Sequence, residues 1–257
     1  MSVEALILAA GRGNRMLSLT EKLPKCMLEV GGTSLIRRQI GALRAEGISP
    51  ITVVSGFGHT ALEAHVGGDV RLVYNKRFAT TNSLHSFWLG AQRLRGPFVV
   101  LNADVLFHPV LLRRLLESPH EDVLLADLRR ELGKEEMKVK IEQRRLADIG
   151  RRLPRGSYDG ENVGILKYGD AARRALVDIS RWLIEEGRAR APFPLATKHL
   201  ARERRIEVIS TEGLPWVEID FPEDLERAHA EIVPRLGPAG GEDGTAEIAE
   251  TRHLCSV

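Results

Sequence analysis

The sequence predicts an α/β fold: a doubly wound, mostly parallel sheet with a small β-hairpin lid. The first observation is the apolar run Val3–Ala10, which suits a strand buried on both faces of a parallel sheet. The second is the pattern that follows, in which short apolar runs alternate with segments of helical periodicity. The third is a change of rhythm after Asp104, where two short runs at 137–141 and 146–149 indicate a hairpin.

The remaining elements follow in order along the chain. After the first strand comes a glycine-rich turn, and Ser34 then precedes apolar residues at helical spacing, with Gly47 placed to end that helix. Further strands are predicted at 51–54, 70–74, 98–101, 123–126, 163–168 and 206–209, and further helices at 82–94 and 224–233.

The bulk properties indicate a globular protein that works in a reducing compartment. A chain of 257 residues with 43% apolar and 28% charged residues can form one large domain or one domain with an appendage. A formal net charge of +2 without a sustained basic block gives little support for nucleic-acid binding. Cys26 and Cys255 have no disulfide or zinc spacing, and the run Ala5 to Ala10 is too short for a membrane span or a signal peptide. We therefore expect a cytoplasmic protein, with a disordered tail at 237–257.

The strongest local signal is the glycine-rich turn, in which LAAGRGNRM at 8–16 is followed by LPKCM at 23–27. Glycines let phosphates approach backbone N–H groups, Arg15 can clamp phosphate oxygens, and Lys25 can reach an α-phosphorus. A tight strand-to-helix turn with surface basic residues is the alternative. The dinucleotide-binding fingerprint fails because Met16 stands at its third glycine, and the chain has no Gly-Lys-Ser/Thr phosphate loop.

These residues resemble the sugar-phosphate nucleotidyltransferase superfamily, and the similarity extends over about residues 1–235. Two further segments, YN at 74–75 with TTNSL at 80–84 and WVEID at 216–220 with PED at 222–224, are similar to the branch of bacterial choline-phosphate, phosphonate and inositol-phosphate cytidylyltransferases. The resemblance implies a Rossmann-like, GT-A-like domain at 1–236 with its lid at about 127–160.

The resemblance also implies roles for individual residues. The loop residues would hold the triphosphate, Arg15 and Lys25 would be catalytic, and the segment at 82–83 would contact the base. The nucleotide-binding set is Ala10, Gly11, Gly13, Asn82, Ser83 and Asp104.

Two aspartates are candidates for a magnesium site. Asp104 follows a predicted buried strand, at the sheet edge where open parallel sheets usually place ligands, and Asp220 ends another short apolar run. Mg²⁺ prefers one or two carboxylates together with waters and substrate phosphates. Each aspartate alone can equally be a helix cap or turn former, but the resemblance implies that the pair binds Mg²⁺.

Candidates for the acceptor side lie in and after the hairpin. Lys138 is the acceptor contact by family position, or else a solvated edge-strand lysine. Glu161, beside Asn162, can bind acceptor hydroxyls or an amine, or belong to a turn. Trp216 can form an aromatic wall for a cation, or pack in the core. The chain departs from the family pattern at Ala103, often glycine, and at Arg151, often lysine.

The function expected from these features is transfer of CMP from CTP to a small phosphorylated or phosphonate acceptor, of phosphocholine or 2-aminoethylphosphonate type. A sugar-1-phosphate or inositol-1-phosphate nucleotidyltransferase is the alternative within the same chemistry. A nucleotide-sugar glycosyltransferase and a non-catalytic regulatory subunit are alternatives of other classes. Mg²⁺ is the expected cofactor and a homodimer a possible assembly, whereas no nucleic-acid or membrane partner is expected.

Overall fold

The computed structural model describes residues 3–21, 23–68, 70–128 and 132–236. The predicted tail at 237–257 lies outside these residues. The strands are β1 (Glu4–Ala9), β2 (Glu29–Val30), β3 (Thr33–Ser34), β4 (Ile51–Ser55), β5 (Arg71–Tyr74), β6 (Phe98–Asn102), β7 (Val105–Phe107), β8 (Val123–Asp127), β9 (Lys138–Glu142), β10 (Arg145–Gly150), β11 (Gly160–Tyr168), β12 (Glu207–Ser210) and β13 (Trp216–Glu218). The helices are α1 (Leu35–Ala45), α2 (His59–Val66), α3 (Ser83–Ala91), α4 (Pro109–Glu117), α5 (Asp170–Leu183), α6 (Pro194–Leu200) and α7 (Pro222–Arg227).

The main sheet has a parallel half centred on β1. Strand β1 pairs in parallel with β4 on one side and with β6 on the other, and β4 pairs in parallel with β5. All residues of β1 except one are buried. A parallel strand covered on both faces reads as a continuous apolar run, which explains why the first prediction is confirmed.

The second half of the sheet is mixed and closes on itself. Strand β11 runs antiparallel to both β6 and β8, and β12 then pairs in parallel with β8. The predicted hairpin is present as β9 and β10; β10 pairs with β12, and β9 pairs with the first residues of β11. These pairings join the hairpin to the sheet at both of its strands, so it forms a wall beside the parallel half.

Helices cover both faces of the sheet, as a doubly wound fold requires. On one face, apolar residues of α1, α2 and α4 pack in a core that includes Ile7, Val53 and Leu101. On the other face, α3, α5 and α6 pack in a second core with Leu6, Val100 and Leu166. The predicted fold class is confirmed. The helices α2, α4, α5 and α6 were not predicted, and in the described residues no helix is long and apolar enough to cross a membrane.

A small antiparallel pair brings two distant aspartates together. Strands β7 and β13 pair with Val105 opposite Glu218, so the turn before β7 lies beside the chain that leaves β13. The backbone N–H of Ile219 donates to the carbonyl oxygen of Asp104 at 3.0 Å, which fixes the two segments side by side. Asp104 and Asp220 are thereby neighbours although 116 positions separate them.

The turn that carries Asp104 is held from below by one buried side chain. Gln39 of α1 is 2% exposed, and its Nε2 donates to the carbonyl oxygens of Asn102 at 2.9 Å and Val105 at 2.8 Å. These carbonyls flank Asp104, so the amide of Gln39 bonds the turn on both sides of that residue.

We predict that Gln39→Met lowers the free energy of unfolding by about 1–3 kcal/mol, because it leaves two buried carbonyls without their donor. Urea unfolding measures the change. Gln92→Met is the matched control, since the amide of Gln92 is exposed and bonds within its own helix, to the carbonyl of Trp88. Equal stabilities of the two variants would show that Gln39 does not hold the turn.

Candidate active site

A large cavity of about 810 Å³ opens at the carboxyl ends of β1 and β6. Open α/β sheets place ligands at this edge. Every residue predicted to be catalytic, nucleotide-binding or metal-binding lines the cavity: Ala10, Gly11, Gly13, Arg15, Lys25, Asn82, Ser83, Asp104 and Asp220.

The glycine-rich turn is shaped around Gly13. Its φ of +69° is a conformation that residues with a side chain rarely adopt, and a Cβ there would lie 2.9 Å from Cβ of Lys25. The carbonyl oxygen of Gly13 accepts bonds from the N–H of Met16 and the hydroxyl of Thr20, at 2.9 and 2.8 Å. Beside Gly11, in contrast, a Cβ would meet no atom within 4 Å, so the cavity is open there.

Lys25 lies at the centre of the site and is rigidly positioned. It begins a short 3₁₀ turn that is closed by bonds from Met27 N–H to the Pro24 carbonyl and from Leu28 N–H to the Lys25 carbonyl. Its Nζ lies 2.7 Å from Oδ2 of Asp104 and 2.5 Å from Oδ1 of Asp220. Burial opposes its charge, but the two carboxylates outweigh burial and raise the pKa of the ammonium above its ordinary value. An ammonium has three N–H donors, so one remains for a ligand.

Three carboxylates form a cluster at this point, because Glu218 joins Asp104 and Asp220. One carboxylate oxygen from each lies within 4.8 Å of the others. Burial, followed by the charges of Asp104 and Asp220, raises the pKa of Glu218 to about 8. Sequence reasoning missed Glu218, although the quoted WVEID segment contains it two positions before Asp220.

The cluster fits a divalent cation. Lys25 and Arg15 bring two positive groups to three carboxyl groups, so the carboxyl groups of the cluster outnumber the cations that contact them. In addition, Oδ1 of Asp104 is buried and has no hydrogen-bond partner among the described residues. Since buried polar atoms are normally satisfied, an unpaired carboxylate oxygen in an acidic cluster suits a metal ligand.

Arg15 links the glycine-rich turn to the hairpin side of the cavity. Its Nη2 lies 2.7 Å from Oδ2 of Asp220, and its Nη1 lies 3.3 Å from Oε2 of Glu135. Arg151 approaches the same Glu135 oxygen at 3.9 Å. Arg151, which departs from the lysine of the family pattern, also lines the cavity.

The predicted base segment begins helix α3. Asn82 is its N-cap, and Oδ1 of Asn82 accepts from the N–H of Ser83 at 2.7 Å. The hydroxyl oxygen of Ser83 accepts from the N–H of Phe193 at 2.8 Å, which ties the segment to the chain before α6. Both residues line the cavity, as do Asn75 and Ser86 close by.

The three predicted acceptor contacts do not line the cavity. Lys138 is 4% exposed, and its Nζ donates to the carbonyl oxygens of Glu136 at 3.4 Å and Arg151 at 3.2 Å. Glu161 is 3% exposed, lies opposite Lys138 in the β9–β11 pairing, and belongs to a strand and not to a turn. Lys138 and Glu161 thus form part of the wall behind the cavity.

Trp216 is also corrected by the structure. It is 7% exposed and packs in the core around β7, and its Nε1 donates to Oδ2 of Asp127 at 2.9 Å. Because the ring is buried and does not line the cavity, it offers no face to a substrate cation there. Among the described residues that line the cavity, Phe78 is the only aromatic one.

Neighbours of the predicted residues line the cavity instead. Met137 and Asn162 do so, one position away from Lys138 and Glu161 respectively. Successive side chains of an extended chain point to opposite sides, so an error of one position exchanges the cavity for the wall behind it. Ile149 and Gly150 of β10 complete this side.

One further stretch of the lining was not predicted. The chain between α5 and α6 contributes Arg188, Arg190 and residues 191–195 except Phe193. After α5 the chain makes one π-helical turn at Ile184–Arg188, and Gly187 within it, with a φ of +79°, turns the chain back toward the site. The sequence signal that marks this turn is the glycine after a strongly amphipathic helix.

The chain is similar in sequence to several curated proteins. A relative from Rubrobacter xylanophilus, named a bifunctional IPC transferase and DIPP synthase, is 32% identical over 260 residues, which cover 98% of this chain and 56% of the relative. This chain spans about half or less of the length of the curated relatives it matches first.

Two solved structures share the fold. The inositol-1-phosphate CTP transferase from T. maritima superposes with a TM-score of 0.73 at 21% identity, covering 90% of this chain and 98% of that one. The CTP:phosphocholine cytidylyltransferase from Streptococcus pneumoniae gives a TM-score of 0.72 at 24% identity, covering 89% and 98%.

A family model described as a MobA-like NTP transferase domain matches residues 5–190. This match spans more than half of the chain and includes the glycine-rich turn, Lys25 and Asp104. The chain therefore belongs to the family of MobA-like NTP transferase domains, a family of nucleotidyltransferases.

Proposed function

We propose that the chain transfers CMP from CTP to a small phosphorylated or phosphonate acceptor and releases pyrophosphate. The observation that carries the proposal is Lys25, which lies between Asp104 and Asp220 at the end of a glycine-rich turn. This arrangement places a cation and a potential metal site beside an open phosphate loop. A glycosyltransferase would not need that loop and lysine, and a non-catalytic subunit would be free to lose them.

The proposed reaction needs positioning more than proton transfer. An oxygen of the acceptor phosphate or phosphonate attacks the α-phosphorus, a new P–O bond forms, and the bond to the bridging oxygen of the departing pyrophosphate breaks. Because the attacking oxygen is already anionic at neutral pH, no general base is required. Lys25 would donate its remaining N–H to an α-phosphate oxygen, and Arg15 would bind the pyrophosphate.

A divalent cation, proposed to be Mg²⁺, would be held by Asp104 and Asp220, with Glu218 as a third carboxylate, and would neutralise phosphate charge during transfer. The protein prepares this site by itself. The β7–β13 pair brings the carboxylates together, and Lys25 and Arg15 offset part of their mutual repulsion.

The donor is proposed to be CTP. The segment at 80–84 resembles that of cytidylyltransferases, and both structural neighbours are named as enzymes that act with CTP. Asn82 and Ser83 line the cavity at the start of α3, where amide and hydroxyl groups can pair with a base. A screen of four NTPs with pyrophosphate detection tests the donor directly.

Two acceptor classes remain candidates. For an acceptor with a cationic nitrogen, Glu135 is a cavity-lining carboxylate that could bind the ammonium if it exchanged its contacts with Arg15 and Arg151. For inositol 1-phosphate or another polyol phosphate, the amides of Asn162 and Asn102 can bond to hydroxyl groups. The described part of the cavity lining also lacks the several aromatic rings that would enclose an ammonium group. We further propose a cytoplasmic location, consistent with the free buried thiol of Cys26, and a homodimer, which light scattering tests.

We predict that Lys25→Met lowers kcat by at least about 10²-fold, the loss typical of deleting a preorganised charge stabiliser. The variant also leaves Asp104 and Asp220 without their ammonium, so its melting temperature falls. Added Mg²⁺ is expected to restore the melting temperature but not turnover. Lys198→Met is the control, because Lys198 pairs with Asp148 outside the cavity. Near-normal turnover of Lys25→Met would contradict the mechanism.

We predict that Asp104→Asn and Asp220→Asn each raise the Mg²⁺ concentration needed for half-maximal activity, since both remove a carboxylate from one ion. Their free-energy effects are expected to be less than additive in the double variant. Mn²⁺ binding, followed by magnetic resonance, gives a readout independent of activity. Full additivity would assign the two aspartates independent roles.

We predict that CTP exceeds ATP, GTP and UTP in kcat/KM, and that phosphocholine or 2-aminoethylphosphonate exceeds glucose 1-phosphate. The panel includes inositol 1-phosphate, the rival acceptor. A clear preference for inositol 1-phosphate or glucose 1-phosphate over both cationic acceptors would reject the cationic class while leaving the transfer chemistry in place. Absence of pyrophosphate release with every pair would reject the proposed function itself.

A further inference from the structure

Two arginines on the cavity wall have no counter-charge within the described residues. Arg188 and Arg190 both line the cavity, and no carboxylate of the described chain lies within ion-pair distance of either guanidinium. Arg190 donates a hydrogen bond from Nε to the carbonyl oxygen of Thr80 at 3.2 Å, and its two terminal nitrogens remain available to a ligand.

The other cations of the cavity are already paired. Lys25 contacts Asp104 and Asp220, Arg15 contacts Asp220 and Glu135, and Arg151 approaches Glu135. The unneutralised positive charge of the cavity therefore lies on one wall, the chain between α5 and α6.

That wall is held firmly in place. The N–H of Asn82 donates to the carbonyl of Ala189 at 3.0 Å, and the N–H of Leu84 donates to the carbonyl of Ala191 at 3.3 Å. The turn closes on itself through a bond of 2.8 Å from Ala191 N–H to the Arg188 carbonyl. Arginines that project from a fixed turn lose less freedom on binding a ligand than arginines on a mobile loop.

On this basis we propose that Arg188 and Arg190 bind the anionic phosphate or phosphonate group of the acceptor, a role that rests on the proposed function. In the proposed function the triphosphate binds to a different element, the glycine-rich turn with Arg15 and Lys25, which line the same cavity. The acceptor is the second anion in the reaction, and it carries close to two negative charges at pH 7 when it is a monoester phosphate. Its charge needs partners that the paired cations do not supply.

The chemistry of guanidinium suits this role. A guanidinium fork contacts two phosphate oxygens in a bidentate geometry, and a third oxygen remains free to attack the α-phosphorus. The wall also joins the two halves of the cavity. It is bonded to the base segment at 82–84, and it continues into α6, which packs against β10 of the hairpin.

The experiment compares Arg188→Gln, Arg190→Gln and the double variant with the unaltered chain in steady-state transfer. Each single change is expected to raise KM for the acceptor by about tenfold or more, the effect of one charge-assisted hydrogen bond, with KM for CTP changed less than twofold. Arg190→Lys should recover part of the loss, because it keeps the charge but not the fork. Arg202→Gln is the control, since Arg202 is exposed on the chain after α6 and does not line the cavity.

Three results would overturn the assignment: an unchanged KM for the acceptor in the double variant, a rise in KM for CTP of equal size, or equal losses in Arg202→Gln. Calorimetric binding of inorganic phosphate separates this proposal from the transfer reaction. If no pair of CTP and acceptor yields pyrophosphate, the proposed function is wrong. The arginine site is tested separately: phosphate binding that is weaker in the double variant supports it, and unchanged binding contradicts it.

Discussion

The constraint on which the site depends is the concentration of three carboxylates at one point of a folded chain. Asp104, Glu218 and Asp220 repel one another, and burial together with this repulsion raises the pKa of Glu218. The ammonium of Lys25 makes their approach tolerable because it bonds to both aspartates. Two cationic side chains contact a cluster of three carboxyl groups, so the cluster can still bind a cation. The same ammonium keeps one donor for a phosphate, so the group that stabilises the cluster is also suited to bind substrate.

Three features of the fold position the carboxylate cluster and Lys25: a short strand pair, a buried glutamine and a glycine with positive φ. Strands β7 and β13 each have three residues and stand apart from the main sheet, yet their pairing brings the chain around Asp220 against the turn of Asp104. From below, Gln39 supplies donors to the carbonyls on either side of Asp104. On the cavity side, Gly13 allows the glycine-rich turn to lie against the side chain of Lys25, because a Cβ at this position would be only 2.9 Å from Cβ of Lys25. Packing, hydrogen bonding and backbone conformation thus act together on one small volume.

The fold class and the nucleotide side of the cavity could be predicted because their signals are local. A buried parallel strand, a glycine turn and a proline-lysine pair each occupy a few consecutive residues, and the family resemblance places Asp104 and Asp220. The acceptor side could not be predicted at the level of single residues. The segments predicted around Lys138 and Glu161 do reach the cavity, but which of two neighbouring side chains faces it depends on strand register. Register is set by pairing between β9 and β11, which is a long-range property.

This difference in origin has a consequence for specificity. The residues proposed to bind the triphosphate, Gly11, Gly13, Arg15 and Lys25, come from one short stretch, so their geometry follows from local backbone conformation. The acceptor side is assembled from the hairpin, from the start of β11 and from the turn after α5, and each of these is positioned by contacts with the others. A change in any one alters the shape or charge offered to the acceptor without disturbing the phosphate loop. Nucleotidyl transfer can therefore stay constant while the acceptor varies, and the acceptor has to be inferred from the charges and surfaces of that side alone.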